Sequence, residues 1–284
     1  MHGLIEADTK DGVWPGGAPP ARCGIAVMAK ASVDGCTKTR LVPPLTYCEA
    51  AAFNTAFLKD IADNVRAAAR HASIAGYMAF GPPGSEQFFR DHLPPDIGLI
   101  AASLPAFGDC LYRAIAEMLA RGHGSAVVLN SDSPTLPTSL LVETAQVLAQ
   151  PGDRVVLGPA VDGGYYLLGL KQAHARMFES IAWSTSRVAE QTVARSREIG
   201  LDVHMLPPWY DVDDVGALRT LHMHLDGDAR APFCEGRFET RLCLDGELVP
   251  YRAKHTAELM SSLLRTSDLT RRLAELAALE GAVR

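Results

Sequence analysis

The sequence predicts an α/β protein built on a doubly wound, mostly parallel sheet. Three observations carry that prediction. Short apolar runs without polar alternation recur along the chain, as strands buried on both faces require. Segments with apolar residues at three- and four-residue spacing separate them, which is the helical period. Glycines, prolines and capping residues punctuate the boundaries. In such a sheet a ligand is expected beyond the carboxyl ends of the strands, where the strand order reverses.

The elements follow in order. Residues 1–22 are rich in Gly and Pro and show no period, so a flexible N-terminal arm is expected. The first strand is 23–29, from its apolar run Ile25 to Met28. Thr46 and Glu49 form a capping box that opens a helix reaching about Arg70. A strand over Ile74–Phe80 stops at Gly81-Pro82-Pro83-Gly84, and a short helix over 85–92 leads to a strand over Ile97–Ala102. A helix over 107–121 ends at Gly122. Ser125–Asn130 is apolar throughout its middle and is expected to be a central, parallel strand. A helix over 138–149, strands over 154–158 and 165–170, a helix over 186–199 and a strand over 201–206 follow. The acidic turn Asp211-Val212-Asp213-Asp214 opens a helix over 214–225.

Residues 23–225 are therefore expected to form the main domain, and 226–284 a C-terminal extension. Asp245-Gly246 between Phe238–Leu244 and Glu247–Tyr251 signals a hairpin. Two helices, near 254–265 and 268–280, follow it. The extension either packs on the core or serves self-association as a homodimer.

Bulk composition narrows the function classes. With 284 residues, 48% hydrophobic and 21% charged, the chain can bury a sizeable core. A net charge of −6 excludes an overall basic field drawing it to nucleic acid or an anionic membrane. Six cysteines lie scattered without a CxxC pair, as free thiols of a reducing compartment do. Cys36 is flanked by cations, which could activate it, although a bystander thiol is the simpler reading. The first residues have no apolar signal-peptide core, and no apolar run approaches the roughly 18 residues of a membrane span. A cytoplasmic protein is expected.

The chemistry concentrates beside the first strand. Lys30, Gly35, Lys38 and Arg40 make a basic, small-residue loop at its carboxyl end, suited to a polyphosphate or simply solvated. The loop is not a Walker A motif, since Thr37 precedes Lys38 and Ser32 stands where the first Gly belongs. Asp132 directly follows the expected central strand, where it suits Mg²⁺ or Mn²⁺ bound through phosphate oxygens, or caps the next turn. Asp211 and Asp213 are candidates for a second carboxylate ligand, with helix capping as the alternative among Asp211, Asp213 and Asp214. Asp162, before Gly163 and Gly164, could orient a hydroxyl, act as a base or simply close a turn. Trp183-Ser184-Thr185 precedes a helix as a staple and cap would.

The strings MAKASVDGCTKTRL, LNSDSPTLP, LGPAVDGGYYLLGL, IAWST and DVDDVGAL occur in this order. Together they resemble a bacterial family labelled arsenosugar-biosynthesis or selenodomain-associated glycosyltransferases. The loop KTRL is also similar to that of phospholactate guanylyltransferase and, more distantly, the set resembles molybdenum-cofactor guanylyltransferase. The resemblance covers about residues 23–225 and implies the GT-A nucleotide-diphospho-sugar transferase fold. It implies that Ala29, Lys30, Lys38 and Arg40 hold the nucleotide and its phosphates, that Asp132 holds a metal, Mg²⁺ or Mn²⁺, and that Asp213 is a second metal ligand or an acceptor ligand; Gly35 and Ser131 are expected beside the nucleotide. Asp162, Gly163, Gly164, Trp183, Ser184 and Thr185 would face the substrate, with Lys38, Arg40, Asp132 and Asp162 catalytic. The chain departs from the family at Ser32-Val33-Asp34-Gly35, where relatives often read Pro-x-Pro-Gly, and at Val215-Gly216.

The implied activity is metal-dependent transfer from a nucleotide-sugar to a small-molecule acceptor. The alternative is nucleotidyl transfer from an NTP to a small phosphate or phosphonate, releasing pyrophosphate. A third reading is a degenerate nucleotide-binding regulatory protein.

Overall fold

The computed structural model describes residues 22–226 and 248–282, with side chains to residue 275. Seven strands form one sheet: β1 (Cys23–Lys30), β2 (Ile74–Gly81), β3 (Gly98–Ala101), β4 (Ser125–Leu129), β5 (Arg154–Pro159), β6 (Tyr165–Leu170) and β7 (Asp202–Met205). Their order is β3-β2-β1-β4-β6-β5-β7. Strands β3, β2, β1 and β4 run parallel, as does β7 on β5. β6 is antiparallel to both β4 and β5. The expectation of a mostly parallel sheet holds, with this one reversed strand in it. The tight turn at Asp162–Gly164 returns the chain directly beside β5, and a connection that short joins only antiparallel neighbours.

Among the described residues there are eight α-helices: α1 (Tyr47–Ala68), α2 (Glu86–His92), α3 (Phe107–Ala120), α4 (Thr138–Ala149), α5 (Val188–Glu198), α6 (Val215–Leu225), α7 (Lys254–Thr266) and α8 (Leu269–Ala282). Two apolar layers result. Ile25, Val27, Val127 and Leu129 point to one face, against Phe53, Phe57 and Ile61 of α1, Leu140 and Leu148 of α4, and Leu218 of α6. Ala26, Ala126, Val128 and Leu168 point to the other, against Leu111, Ile115 and Met118 of α3 and Ala189 of α5. Burial on both faces explains why these strands read as unbroken apolar runs.

The capping box of α1 is present in full: Glu49 N–H donates to Thr46 Oγ1 at 3.2 Å and Thr46 N–H donates to Glu49 Oε2 at 2.7 Å. Boundaries differ from the sequence expectation at a few points. α5 opens at Val188, two residues later than expected, because Thr185 and its neighbours form a preceding turn. Two 3-10 turns, Thr39–Leu41 and Ala175–Phe178, carry no periodic signal of their own. For the expected hairpin at 238–251, the first arm and the turn lie outside the described residues. The part of the second arm that is described, Leu248–Tyr251, is irregular chain. The expected N-terminal arm also lies outside them, apart from Arg22.

α7 and α8 pack on the same layer as α1, burying Met260 and Leu269. α7 has no side-chain cap from its own N-cap residue, Ala253. Asp60 of α1 supplies the acceptors instead, at 2.9 Å from His255 N–H and 2.8 Å from Thr256 N–H.

Candidate functional site

The strand order reverses between β1 and β4, so a crevice is expected beyond their carboxyl ends. A cleft of about 670 Å³ opens there. Its walls are the loop after β1, the loop after β4, the turn at Asp162–Gly164, residues Trp183–Ser186, and the segment at Asp211–Asp213.

The loop after β1 is compact because its own hydroxyls close it. Thr37 Oγ1 donates to the Val33 carbonyl at 3.1 Å and accepts from Val33 N–H at 3.3 Å. Gly35 makes that turn possible with φ +72°. Asn54 of α1 donates to the Lys30 carbonyl at 3.1 Å and to Ser32 Oγ at 2.9 Å, tying the loop to the helix. Lys38 then takes a left-handed backbone, φ 53° and ψ 34°, before the turn Thr39–Leu41 buries Leu41. That conformation costs a residue with a Cβ roughly 1–2 kcal/mol, and it turns the Lys38 side chain into the cleft wall.

There the Lys38 ammonium stands 2.7 Å from Asp132 Oδ1 and 2.9 Å from Asp213 Oδ1. It also donates to the Val212 carbonyl at 2.9 Å and lies 5.5 Å over the Phe57 ring. Three N–H donors meet three acceptors, so the ammonium is saturated. Its side chain is 6% exposed. Burial opposes the charge, but the Asp132 and Asp213 carboxylates outweigh it and hold the Lys38 pKa above the ordinary lysine value. Arg40 behaves differently: its side chain is 77% exposed, with Nη1 3.8 Å from Asp213 Oδ2.

The segment carrying Asp213 is fixed to the loop after β4. Val212 N–H donates to the Asp132 carbonyl at 2.8 Å, and Ser133 Oγ donates to the Tyr210 carbonyl at 2.8 Å. The Tyr210 hydroxyl bonds Thr135 Oγ1 and His224 Nδ1, each at 2.8 Å. The three neighbouring acids divide the work. Asp214 caps α6 by accepting from Ala217 N–H at 2.8 Å, Asp213 meets Lys38, and Asp211 lines the cleft. The Asp211 carboxyl is pushed up to about 7, by burial first and then by the charges of Asp162, Asp213 and Asp132. Asp132 accepts from Lys38 and from Ser131 Oγ at 3.0 Å, so it serves the cation rather than capping the next turn.

Asp162 Oδ1 accepts from Gly164 N–H at 2.8 Å, which closes its own turn, and the residue also lines the cleft. Gly163 has φ +93°, and a Cβ on it would stand 2.2 Å from the Ser186 carbonyl oxygen. Only glycine lets this turn sit against Trp183–Ser186. Trp183 meets Phe107 edge to face at 5.3 Å, giving the cleft an aromatic corner. Thr185 Oγ1 donates to the Ala182 carbonyl at 2.7 Å and accepts from Arg187 N–H at 3.3 Å, making a turn ahead of α5.

Of the residues picked from sequence, Lys30, Lys38, Arg40, Ser131, Asp132, Asp162, Gly164, Trp183, Ser184, Thr185 and Asp213 line the cleft. Ala29, Gly35 and Gly163 are not on its lining. Ala29 is buried in the core at the end of β1, and the two glycines shape turns, Gly35 an exposed one and Gly163 a buried one. Asn54 and Phe107 line the cleft and were not anticipated. Asn54 gave one signal, an uncompensated polar residue in the apolar stripe of α1, where it is 5% exposed.

Among the described residues, no group of three or more His, Cys, Asp and Glu side chains is placed to hold a metal ion alone. Asp132 and Asp213 offer two oxygens that a single cation, Lys38, already spans. Two carboxylates completed by phosphate oxygens and water are a set that Mg²⁺ accepts. No helix among the described residues is long and apolar enough to cross a membrane.

Residues 64–185 match a protein-family model described as an uncharacterized protein conserved in bacteria, DUF2064. No curated protein matches the chain. Among solved structures, the chain is similar to a protein from Desulfovibrio desulfuricans G20 provisionally described as a nucleotide-diphospho-sugar transferase. They share 23% identity over 89% of this chain and 98% of that one, with a TM-score of 0.70. It is also similar to a CMP:2-keto-3-deoxy-manno-octonic acid synthetase complexed with CTP, at 12% identity, 74% and 100% coverage and a TM-score of 0.48. A cytidylyltransferase from Leptospira borgpetersenii serovar Hardjo-bovis (strain JB197) matches at 9% identity, 88% and 96% coverage and a TM-score of 0.46. At 23% identity the likeness to the Desulfovibrio protein is one of fold, a nucleotide-diphospho-sugar transferase-like α/β fold.

Proposed function

We propose that the cleft binds a nucleotide-activated substrate with a divalent cation, Mg²⁺ or Mn²⁺, and transfers a group to a small-molecule acceptor. The observation that supports this most is the meeting of the Lys38–Arg40 loop with the Asp132–Asp213 pair at the sheet's switch point. Four carboxylates (Asp132, Asp162, Asp211, Asp213) and three cations (Lys30, Lys38, Arg40) line the cleft. A polyphosphate entering among so many carboxylates calls for more positive charge than the side chains carry. Asp132 and Asp213 would hold the cation, and the cation would supply charge neutralisation on the departing phosphate. Arg40 and Lys30, exposed at the rim, are the groups free to meet phosphate oxygens. Ser131 stands beside Asp132 at the phosphate end.

Glycosyl transfer from a nucleotide-sugar is the leading reading. The aromatic corner of Trp183 and Phe107, with Asp162 and the hydroxyls of Ser184 and Thr185 on the same wall, suits a hydroxylated acceptor ring. In this reading Asp162 orients the acceptor hydroxyl. The closeness of Arg40 and Lys38 to the acid pair favours a second reading, nucleotidyl transfer, in which those cations stabilise the charge on an attacked α-phosphate.

A panel of NTPs and nucleotide-sugars with Mg²⁺ or Mn²⁺ separates the readings. Acceptor-dependent release of a nucleoside diphosphate selects the first, and release of pyrophosphate selects the second. A rise in melting temperature without release of either would leave a nucleotide-binding protein without transferase activity.

A further inference from the structure

The Lys38 ammonium sits where a bridging cation would sit. It is 2.7 Å and 2.9 Å from one oxygen of each carboxylate and saturated by the Val212 carbonyl at 2.9 Å. The lysine reaches this place from a left-handed backbone, across a chain separation of 175 residues to Asp213. A lysine placed to grip phosphate would hold its donors towards the open cleft, as the exposed Arg40 does. Lys38 has no donor left to offer.

We propose that Lys38 is the resident counter-ion of the Asp132–Asp213 pair, and that a divalent cation enters only by displacing its ammonium. This rests on the reading of the cleft as a nucleotide and metal site. The exchange is one of charge and position alone. Two carboxylates give up one positive charge and gain two, and Lys38 leaves with its proton. Expelled without a new partner, the ammonium would lose three hydrogen bonds from a buried position, which opposes binding of metal alone. Phosphate oxygens arriving with the metal give the ammonium somewhere to go. Metal and nucleotide therefore load cooperatively, and each strengthens the other by the same factor. Lys38 offsets one of the two negative charges of the acid pair between turnovers and becomes a phosphate ligand only after it has been displaced.

The test measures Mn²⁺ binding without nucleotide, by electron paramagnetic resonance of the free ion, in wild type, Lys38→Met and Lys38→Arg. Removal of the competing charge should tighten Mn²⁺ binding about tenfold or more, within the usual span of such couplings. Lys38→Arg, which keeps the charge, should remain as weak as wild type, and adding Asp132→Asn to Lys38→Met should abolish the gain. Equal Mn²⁺ affinity in wild type and Lys38→Met overturns the proposal. If Lys38→Met does not fold, the side-chain ¹⁵N signal of Lys38 in the wild type decides. That signal should shift in step with Mg²⁺ binding measured by calorimetry, and saturation by Mg²⁺ with the signal unmoved overturns the proposal. The functional reading fails separately, if no nucleotide raises the melting temperature of the wild type with or without metal.

Discussion

Asp60 of α1 accepts from His255 N–H, Thr256 N–H and Thr256 Oγ1 at 2.9, 2.8 and 2.6 Å. Glu49, one helical stretch earlier, accepts from Thr46 N–H at 2.7 Å and from Arg272 nitrogens at 2.8 and 2.7 Å. In the cleft, Asp132 and Asp213 share a single ammonium at the tip of one lysine. The first region surrounds its carboxylates with several donors, two of Asp60's being backbone groups that cannot leave without undoing α7. The second meets its carboxylates chiefly with one buried ammonium on a flexible four-carbon stem, the exposed Arg40 standing farther off at 3.8 Å from Asp213. The contrast separates an acid that holds the fold from an acid that can change partners, and it turns on the number and rigidity of the donors together with burial, Asp60 being 1% exposed and the Asp132 side chain 28%.

The sharpest way to break that comparison is to remove one acid from each region. Asp132→Ala should lower turnover about a thousandfold, read as release of pyrophosphate or nucleoside diphosphate. Its unfolding midpoint should move little, because Lys38 retains Asp213 and Val212. Full turnover in this variant would make the cleft pair structural, like Asp60. Asp60→Ala should cost about 3 kcal/mol in urea unfolding, since it leaves two N–H groups and a buried hydroxyl without their acceptor. Nucleotide affinity should be unchanged, and a loss of affinity equal to that of Asp132→Ala would erase the distinction.

A smaller effect comes with pH. The Glu49 carboxyl is held down to about 2 against an ordinary 4.5, first by the Arg272 hydrogen bonds. Its folded value is depressed, so the stabilisation is present above pH 4.5 and is lost as pH falls towards 2. The loss should be on the order of 2 kcal/mol in wild type. Arg272→Met should flatten that slope while leaving the cleft's ligand affinity intact. An unchanged acid slope in Arg272→Met would assign the stabilisation to the capping box alone.

Most of the architecture was legible in the chain. Local rules fix the capping box, the unbroken apolar strands and the turns at Gly81–Gly84 and Asp162–Gly164, and each acts within a few residues. The switch-point rule then brought Lys38, Asp132 and Asp213 to one edge. The apolar run of β6 does not itself reveal direction, since its period is the same beside a parallel or an antiparallel neighbour; only the shortness of the turn at Asp162–Gly164 carried that information. The orientation of Lys38 was not legible, since it depends on one left-handed residue and on an acid 175 residues away. Among the three neighbouring acids Asp214 takes the helix cap, while Asp213 meets Lys38 and Asp211 also lines the cleft. The acceptors that cap α7 come from another helix, which no N-cap signal at Ala253 could announce.

That borrowed cap also bears on the order in which the molecule assembles. The bond from Thr256 to Asp60 closes a span of 196 residues, with six of the sheet's seven described strands, β2 to β7, strung between its ends. During synthesis α1 can be wound early, yet one of its carboxylates waits for donors that emerge only after every strand has been made. Closing so long a loop is slow in entropy terms. The bond thus acts as a late latch, made after the sheet is in place, and the clock of refolding should be read at α7 rather than at the cleft.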